Sequence, residues 1–410
     1  MKTKIMFGSL FLVCMLAAAT VVAAATPSPG LGSIDVEKYV SFGPNSGTID
    51  WLDADELPGP YNLTGKEVYF KYRVQNTGKI PFFSVQLREH DINLSGCVVV
   101  EPLMPGAAFE CVVGPFPTGS GQHMEPVTAI GYFDGGSVRD HDNANYFGAV
   151  VALDLETSVR SEAAEDWTDA DDPPGLYVAA GSSVYIQYEG TNRGNIPLTS
   201  VSLRNASVLI DQDQCIIVEP LMPGASFSCT TGPIEVAAGQ QQASATARGR
   251  FLEWVVQDRD SAHYFGVLAQ IDVEDAIGVG RPDLARETTG IQWFDADDPP
   301  GVTLVVGAKF YRKWSGKNTG NVPLESVRVL ADIDEGASGH CIILEPVMPG
   351  STFECITGPF SAAPGLQGHT TTILGTFASW SAQDSDSTYY EGVYVLTGSP
   401  DEATKAKSVR

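Results

Sequence analysis

The feature that most constrains this chain is an internal repeat, in which three sets of motifs recur in the same order along 410 residues. The first set is Trp-x-Asp-x-Asp, the second is a cysteine pair around Glu-Pro-(Leu/Val)-Met-Pro-Gly, and the third is Asp-x-Asp followed by a tyrosine. The tryptophans are Trp51, Trp167 and Trp293, and the tyrosines are Tyr146, Tyr264 and Tyr390. Independent anchors with matching spacing predict three tandem copies of one unit: repeat 1 at 32–150, repeat 2 at 151–267 and repeat 3 at 268–395.

Each copy has the pattern of a β-domain. Val68, Phe70, Tyr72 and Val74 alternate with polar residues, which places them on one face of a strand. An Asn-x-Gly sequence such as Asn76-Thr-Gly follows, where a turn with positive φ is expected. Short strands, frequent Gly and Pro, and about 120 residues per copy predict an all-β sandwich of roughly seven antiparallel strands.

The sequence at the two ends of the chain predicts that the protein is secreted. Lys2 and Lys4 precede an apolar run that ends in small residues at Ala25, the pattern of a secretory signal peptide at 1–25. The run approaches membrane-spanning length, so a signal anchor is the alternative. Residues 396–410 are polar and predict a flexible tail. We expect a secreted, extracellular protein located in a cell wall or matrix, with no membrane insertion after signal cleavage.

Six of the seven cysteines fall as two per repeat, fourteen residues apart, with Pro-Gly between them to reverse the chain. A secreted context with this constant spacing favours disulfides. The expected pairs are Cys97–Cys111, Cys215–Cys229 and Cys341–Cys355. A zinc site is the alternative, but no histidine recurs beside the cysteines to complete a tetrahedral set.

Acidic residues recur at three places in each copy. The Trp-x-Asp-x-Asp motif is expected between the first two strands, the Asp-x-Asp motif at the end of the last strand, and an Asp-x-Glu pair opens each copy, starting with Asp35-Val-Glu37. This placement predicts that the carboxylates of one repeat meet the opening pair of the next repeat. Converging carboxylates repel unless a cation lies among them, and flexible oxygen ligands suit Ca²⁺. The predicted Ca²⁺ ligands are Asp53, Asp55, Glu56, Asp140, Asp142, Asp154 and Glu156 at the first junction, and Asp169, Asp171, Asp172, Asp258, Asp260, Asp272 and Glu274 at the second.

Repeat 3 retains the motifs but has no following copy, so its site is expected to be incomplete. Its acidic residues are Asp295, Asp297, Asp298, Asp384 and Asp386. The alternative for all these motifs is structural: Asp before Pro is ordinary turn chemistry, and alternating Asp on an edge strand protects against aggregation. Both interpretations stay open from the sequence.

The formal net charge of −25 argues against nucleic acid and anionic membranes as partners. No nucleophile, phosphate-binding or metalloprotease motif is present. Paired carboxylates can hydrolyse glycosides, but here they recur three times, whereas a catalytic pair is normally unique in a chain. We therefore expect no enzymatic activity. The N-glycosylation sequons begin at Asn62, Asn93 and Asn205.

Aromatic residues support a second functional interpretation, a carbohydrate-binding, lectin-like secreted protein. Trp254 and Trp380 occupy equivalent positions shortly before the Asp-x-Asp motif. Either could stack on a sugar ring if exposed, although a core position is the favoured expectation. The tryptophans that open the first motif are expected to be buried.

Taken together, the motifs resemble the Ig-like repeats of bacterial and archaeal surface proteins. The resemblance rests on NTGNVPL at 318–324, on DADDPPG, on MPG before the second cysteine and on DRDSAHYFG at 258–266. It covers essentially the whole mature chain and implies three tandem Ig-like antiparallel β-sandwich domains. It also implies a structural, adhesive or extracellular-matrix role. We therefore expect an acidic secreted protein stiffened by Ca²⁺ at its junctions, with a cell-wall or matrix polysaccharide, protein or mineral as its partner.

Overall fold

The structure, a computed structural model, describes residues 31–45, 48–97, 99, 102–205, 215–280, 290–331, 342–343 and 346–395. Within these ranges every regular element is a β-strand, as the sequence predicts. The predicted signal peptide and tail, 1–25 and 396–410, lie outside the described residues. The chain divides into two compact units, Met1–Val150 and Val151–Arg410.

The first unit contains the sandwich of repeat 1. Its strands are β1 Ile34–Ser41, β2 Pro44–Asn45, β3 Thr48–Ile49, β4 Leu52–Asp53, β5 Tyr61–Leu63, β6 Glu67–Asn76, β7 Ser84–Arg88, β8 Ala108–Pro117, β9 Gly121–Phe133 and β10 Gly136–Ala149. Two four-stranded sheets, ordered β4-β1-β6-β8 and β5-β10-β9-β7, form its layers. β2 and β3 make a separate two-stranded ribbon.

The second unit contains two further sandwiches. Repeat 2 consists of β11 Leu153–Ser161, β12 Thr168–Asp169, β13 Leu176–Ala179, β14 Ser183–Asn192, β15 Thr199–Asn205, β16 Ser226–Glu235, β17 Gly239–Phe251 and β18 Trp254–Val267. Its sheets are β12-β11-β14-β16 and β13-β18-β17-β15, the same order as in repeat 1.

Repeat 3 follows the same plan. Its strands are β19 Ile271–Gly280, β20 Ile291–Asp295, β21 Val302–Val305, β22 Lys309–Asn318, β23 Ser326–Ala331, β24 Ile342–Ile343, β25 Thr352–Ser361, β26 Gly365–Phe377 and β27 Trp380–Val393. They form the sheets β20-β19-β22-β25 and β21-β27-β26-β23-β24. The sheets are antiparallel as predicted except at one pairing in each repeat. The short strands β5, β13 and β21 each pair parallel with the last strand of their repeat.

The core lies between the two sheets of each repeat. Val68, Phe70, Tyr72 and Val74 of β6 are all buried, as their alternation predicts. Burial of one large apolar side chain is worth about 1.5–3 kcal/mol, so this strand is a main source of stability in its repeat.

The Asn-x-Gly turns are built differently from the prediction. None of the described residues in these turns has a positive φ. Instead Asn76 is fully buried, and its Nδ2 donates to the carbonyls of Ile80 and Leu103 at 2.8 and 2.9 Å. Its Oδ1 accepts a bond from the Gly78 N–H at 3.0 Å. Asn192 and Asn318 make the equivalent three bonds, so each asparagine joins three segments of its repeat.

In the part of the chain that the structure describes, no helix has the length and apolarity needed to cross a bilayer.

Candidate functional site: a carboxylate group on each repeat

The Asp-x-Asp motif of the last strand binds the backbone of the first strand. β1 pairs with β4 only through Tyr39 and Val40, so the earlier part of this edge has no strand partner in the described structure. There the Val36 N–H donates to Oδ2 of Asp140 at 2.9 Å, and the Lys38 N–H donates to Oδ2 of Asp142 at 2.5 Å. The two aspartates come from β10 in the opposite sheet. They replace the missing strand and join the two layers along one side.

The same clamp is present in the other two repeats. In repeat 2 the amides of Leu155 and Thr157 donate to Asp258 and Asp260 at 2.8 and 2.5 Å. In repeat 3 the amides of Val273 and Asp275 donate to Asp384 and Asp386 at 3.0 and 2.7 Å.

Strand geometry explains the spacing of the motif. Residues two apart on a strand point to the same side, and amides two apart on the facing strand do so as well. An Asp-x-Asp sequence therefore places two carboxylates at the same spacing as two unpaired amides of the facing strand. Charged hydrogen bonds of this kind are stronger than neutral ones. Asp140, Asp142 and their equivalents thus have a structural role, which was one of the two interpretations left open by the sequence.

The remaining acidic residues gather around each clamp. Carboxylate group 1 comprises Asp35, Glu37, Asp53, Asp55, Asp140 and Asp142; group 2 comprises Asp154, Glu156, Asp169, Asp171, Asp258 and Asp260; group 3 comprises Asp272, Glu274, Asp295, Asp297, Asp384 and Asp386. Glu56 and Asp172 are exposed beside groups 1 and 2. Burial raises the pKa of Glu37, and repulsion from Asp142, Asp35, Asp53 and Asp55 raises it further.

Groups 2 and 3 show the same crowding. The pKa of Glu156 is raised by burial and by the charges of Asp260, Asp154, Asp169 and Asp171. In group 3 the pKa of Asp297 is raised to about 6, first because its protonated carboxyl donates a hydrogen bond to Asp295, and then because of burial and repulsion from Asp386. Paired carboxylates of this kind favour either a shared proton or a cation.

The predicted grouping across junctions is wrong, because each opening Asp-x-Glu pair belongs to the clamp of its own repeat. Asp272 and Glu274 face Asp384 and Asp386 of repeat 3, and Glu156 faces Asp260 of repeat 2. The reason is the length of the last strand. β18 runs from Trp254 to Val267, so the Asp-x-Asp motif lies in its first half, and the strand continues well past the motif. Repeat 3 therefore has a full group, contrary to the expectation that its site is incomplete.

The acidic loops border open depressions. In repeat 3 a depression of about 670 Å³ is lined by Asp295, Asp297 and Asp298, and in repeat 2 one of about 450 Å³ is lined by Asp169, Asp171 and Asp172. No three His, Cys, Asp or Glu side chains within the described ranges already have the arrangement of a metal site. In group 2 the carboxylates of Asp169 and Asp171 meet as a pair, whereas in group 1 Asp55 hydrogen-bonds both Asp53 and the clamp residue Asp142.

Buried charges occupy one equivalent position in repeats 1 and 3, and the sequence analysis missed them. In repeat 1 Lys38 is buried and its Nζ lies 2.6 Å from Oε1 of Glu89. In repeat 3 the charges are reversed: Asp275 Oδ2 lies 3.1 Å from a guanidinium nitrogen of Arg312. Burial lowers the pKa of Lys38 although Glu89 opposes this, and burial raises the pKa of Asp275 although Arg312 opposes it. Thr157 takes this position in repeat 2, without a charge. The signals in the sequence are charged residues that interrupt an apolar alternation: Lys38 between Val36 and Val40, Asp275 between Val273 and Ile277, and Arg312 between Phe310 and Trp314.

Two predicted disulfides are confirmed. Cys97 is bonded to Cys111 and Cys215 to Cys229, with Cα–Cα distances of 5.5 and 4.9 Å. Cys355 is disulfide-bonded as well, and its predicted partner Cys341 lies outside the described residues.

The three sequons differ in accessibility. Asn62 is buried, and its Nδ2 donates to the Glu67 carbonyl and to Oγ1 of Thr118, so a folded repeat 1 has no room for a glycan on this atom. Nδ2 of Asn205 donates to the Tyr188 hydroxyl at 2.6 Å. Asn93 is exposed, and its Oδ1 accepts a bond from the Ser95 amide, which leaves Nδ2 on the surface.

The tryptophans of the first motif were predicted to be buried, and the structure contradicts this. Trp51, Trp167 and Trp293 are half-exposed, and each stacks with a cation on the outer face of its sheet. The distances from the ring centroids to Lys71, Arg160 and Lys313 are 5.2, 5.0 and 5.3 Å.

Aromatic rings, rather than carboxylates, connect repeats 2 and 3 within the second unit. Tyr177 of β13 packs edge-on against Phe377 and Trp380, at centroid distances of 5.4 and 6.3 Å. Asn321 adds two hydrogen bonds at this junction, accepting from the Leu268 N–H at 2.8 Å and donating to the Gly266 carbonyl at 2.7 Å. Trp380 is half-buried and packs against the small core cluster of Val267, Val322 and Phe377, so the expected core position is met only in part.

Comparison with known proteins leaves this chain without an assigned family. No protein-family model matches it, and no curated protein matches it. Distant likenesses were found to solved structures. PcdhgB3 EC1-4 is 10% identical over 90% of this chain and 84% of that chain, with a TM-score of 0.31. Drosophila N-cadherin EC1-4 is 9% identical over 76% and 92%, with a TM-score of 0.20. Dimeric latent PorU from Porphyromonas gingivalis is 10% identical over 88% and 34%, with a TM-score of 0.18. Likenesses with TM-scores this low transfer no property to this chain, and the resemblance to bacterial and archaeal Ig-like repeats stays a prediction.

Proposed function

We propose that this chain is a secreted, acidic structural or adhesive protein whose three carboxylate groups bind Ca²⁺, one within each repeat. The observation that most supports this is the recurrence of the same acidic set around the same clamp in all three sandwiches. Disulfides in at least two repeats fit an oxidising, extracellular setting. A cell-wall or matrix polysaccharide, protein or mineral is the proposed partner, and no enzymatic activity is proposed.

The donors suit a hard cation. Carboxylate oxygens in flexible loops are typical Ca²⁺ ligands. Burial, and then repulsion from neighbouring carboxylates, raises the pKa of Glu37, Glu156 and Glu274, so these groups are costly to keep ionised without a counter-ion. The clamp amides bond one oxygen of each Asp-x-Asp residue, and the second oxygen keeps a lone pair for a ligand even where it accepts a local bond, as Oδ1 of Asp386 does from the Ser387 N–H. In group 1 the loop carboxylate of Asp55 already contacts the clamp residue Asp142, and closing the sites of groups 2 and 3 requires their loop carboxylates to turn toward the clamp.

Cation binding in this position has a mechanical consequence. An ion shared by the Trp-x-Asp-x-Asp loop and the clamp links the end of the first sheet to the last strand of the second sheet. It would therefore stiffen each repeat internally, whereas the sequence analysis placed the stiffening at the junctions.

Calorimetric titration of the mature chain with Ca²⁺ at neutral pH tests the proposal. We expect one ion per repeat, with similar affinities for the three. Asp171→Asn should remove one ion, because Asp171 belongs to group 2. Glu253→Gln is the matched control, since it removes one exposed charge outside every group. No saturable binding, or equal loss in both variants, would refute the proposal.

A further inference from the structure

A cavity between repeats 2 and 3, inside the second unit, has the chemistry of a sugar site. Its volume is about 500 Å³, within the range of small-molecule pockets. Tyr177 and Trp380 form its aromatic wall, and Ser161, Glu162 and Ser183 line its polar side. We propose that this cavity binds one pyranose unit of a neutral saccharide.

The aromatic wall is held in place by its own contacts. Trp380 stacks on Phe377, with centroids 6.1 Å apart and an interplanar angle of 24°. The edge contact with Tyr177 fixes the ring from the other repeat. Trp380 is only half-buried and Tyr177 is 39% exposed, so ring surface remains for a ligand. An aromatic surface of this kind packs against the C–H face of a pyranose and gains from burial at little cost in side-chain entropy.

The polar side offers both acceptors and donors. The Ser182 hydroxyl donates to the Ala179 carbonyl at 2.7 Å, which leaves its oxygen free to accept a bond. The Glu162 N–H donates to the Ser183 carbonyl at 3.1 Å, and this bond holds the 161–163 segment beside the cavity. Sugar hydroxyls can donate to the Glu162 carboxylate and exchange bonds with Ser161 and Ser183.

Charge narrows the ligand class. A carboxylate at the rim of a chain with a net charge of −25 disfavours phosphorylated, sulfated or uronic sugars. A neutral pyranose pairs with the aromatic wall and with the hydroxyl groups without that repulsion. The cavity shares no residue with the three carboxylate groups, so the Ca²⁺ proposal and this one can fail separately.

The test measures binding of four saccharides to the mature chain by tryptophan fluorescence and by calorimetry. The saccharides are cellotetraose, chitotetraose, xylotetraose and mannotetraose. We expect saturable binding of at least one of them in a chelator as well as in Ca²⁺. Trp380→Ala should weaken binding at least about tenfold, as expected for loss of a stacking surface. Trp380→Phe should retain part of the affinity, and Glu162→Gln should weaken binding without changing the fold.

Trp254→Ala is the matched control. Trp254 is the equivalent residue of repeat 2 and stacks on Phe251 as Trp380 stacks on Phe377, but it does not line the cavity. Its loss should leave the affinity unchanged. Hydrogen exchange of residues 176–179 reports whether Trp380→Ala disturbs the junction. No binding of any of the four saccharides, or equal loss in the Trp254 and Trp380 variants, would overturn the proposal.

Discussion

Removing the clamp of repeat 2 is the perturbation with the clearest expected result. In the double variant Asp258→Ala with Asp260→Ala, the amides of Leu155 and Thr157 lose acceptors at 2.8 and 2.5 Å. A hydrogen bond to a charged group contributes about 1.5–3 kcal/mol, and loss of both also separates the two sheets at this side. Relief of repulsion with Glu156 offsets part of the loss. We expect the free energy of unfolding of repeat 2 to fall by about 3–5 kcal/mol.

Hydrogen exchange followed by mass spectrometry is the assay, because it reports each repeat separately in the intact chain. Peptides that cover β11 should exchange about 100- to 5,000-fold faster in the variant at neutral pH, the factor that corresponds to this free energy. Peptides of repeat 1 should be unchanged. The isosteric pair Asp258→Asn with Asp260→Asn keeps two oxygen acceptors and should lose only about 1–2 kcal/mol.

Asp171→Ala is the control for charge. The Asp171 side chain hydrogen-bonds the neighbouring carboxylate of Asp169. Its removal in a chelator should therefore leave β11 protected or make it slightly more stable. If the Asp258 and Asp260 variant keeps wild-type exchange in β11, the clamp has no structural role and the reasoning fails.

Three further predictions concern other parts of the chain. Arg312→Ile alone should destabilise repeat 3 by about 3–5 kcal/mol, because it leaves Asp275 buried without its partner. Adding Asp275→Thr reproduces the uncharged pair of repeat 2, where Thr157 and Ile186 occupy the two positions, and should restore stability in a denaturant titration. A double variant as unstable as the single one would contradict this. Replacing Cys215 and Cys229 by serine should cost about 3 kcal/mol in the same assay, the value for a loop of this length, and an unchanged midpoint would exclude a stabilising role. Because the pKa of Asp297 is raised to about 6, the folded state binds its proton more tightly than the unfolded chain, and this stabilisation is lost as pH rises through that value. In a chelator the unfolding temperature of repeat 3 should therefore increase when the pH is lowered from about 7 to about 5. A decrease over that range would show that the ionised carboxylate is the stabilised form.

The fold could be predicted from the sequence because its signals are local and repeated. Alternation in β6 placed Phe70 and Tyr72 in the core, and constant spacing identified the disulfides. The clamps were not predictable in detail. They join strands about a hundred residues apart, and the pattern Asp-x-Asp does not reveal whether its carboxylates face solvent, a cation or a backbone amide. The error in grouping came from one assumption, that the motif marks the end of the last strand.

The buried charges were hidden for a related reason. Lys38 and Asp275 occupy the same position with opposite charge, and their partners lie in different parts of the fold, since Glu89 directly follows β7 and Arg312 lies in β22. A comparison of repeats by residue type therefore shows only disagreement at this position. The aromatic junction was missed because Tyr177, Phe377 and Trp380 come together only when two repeats pack against each other.

The most direct measurement of the central claim is a crystal structure of the mature chain grown with Mn²⁺ or Tb³⁺ in place of Ca²⁺, with the ions located by anomalous scattering. The account predicts one ion per sandwich, bordered in repeat 2 by Glu156, by the 169–171 loop and by the free oxygens of the Asp258 and Asp260 pair. An ion ligated jointly by carboxylates of two successive repeats, or no ion at saturating metal, would contradict it.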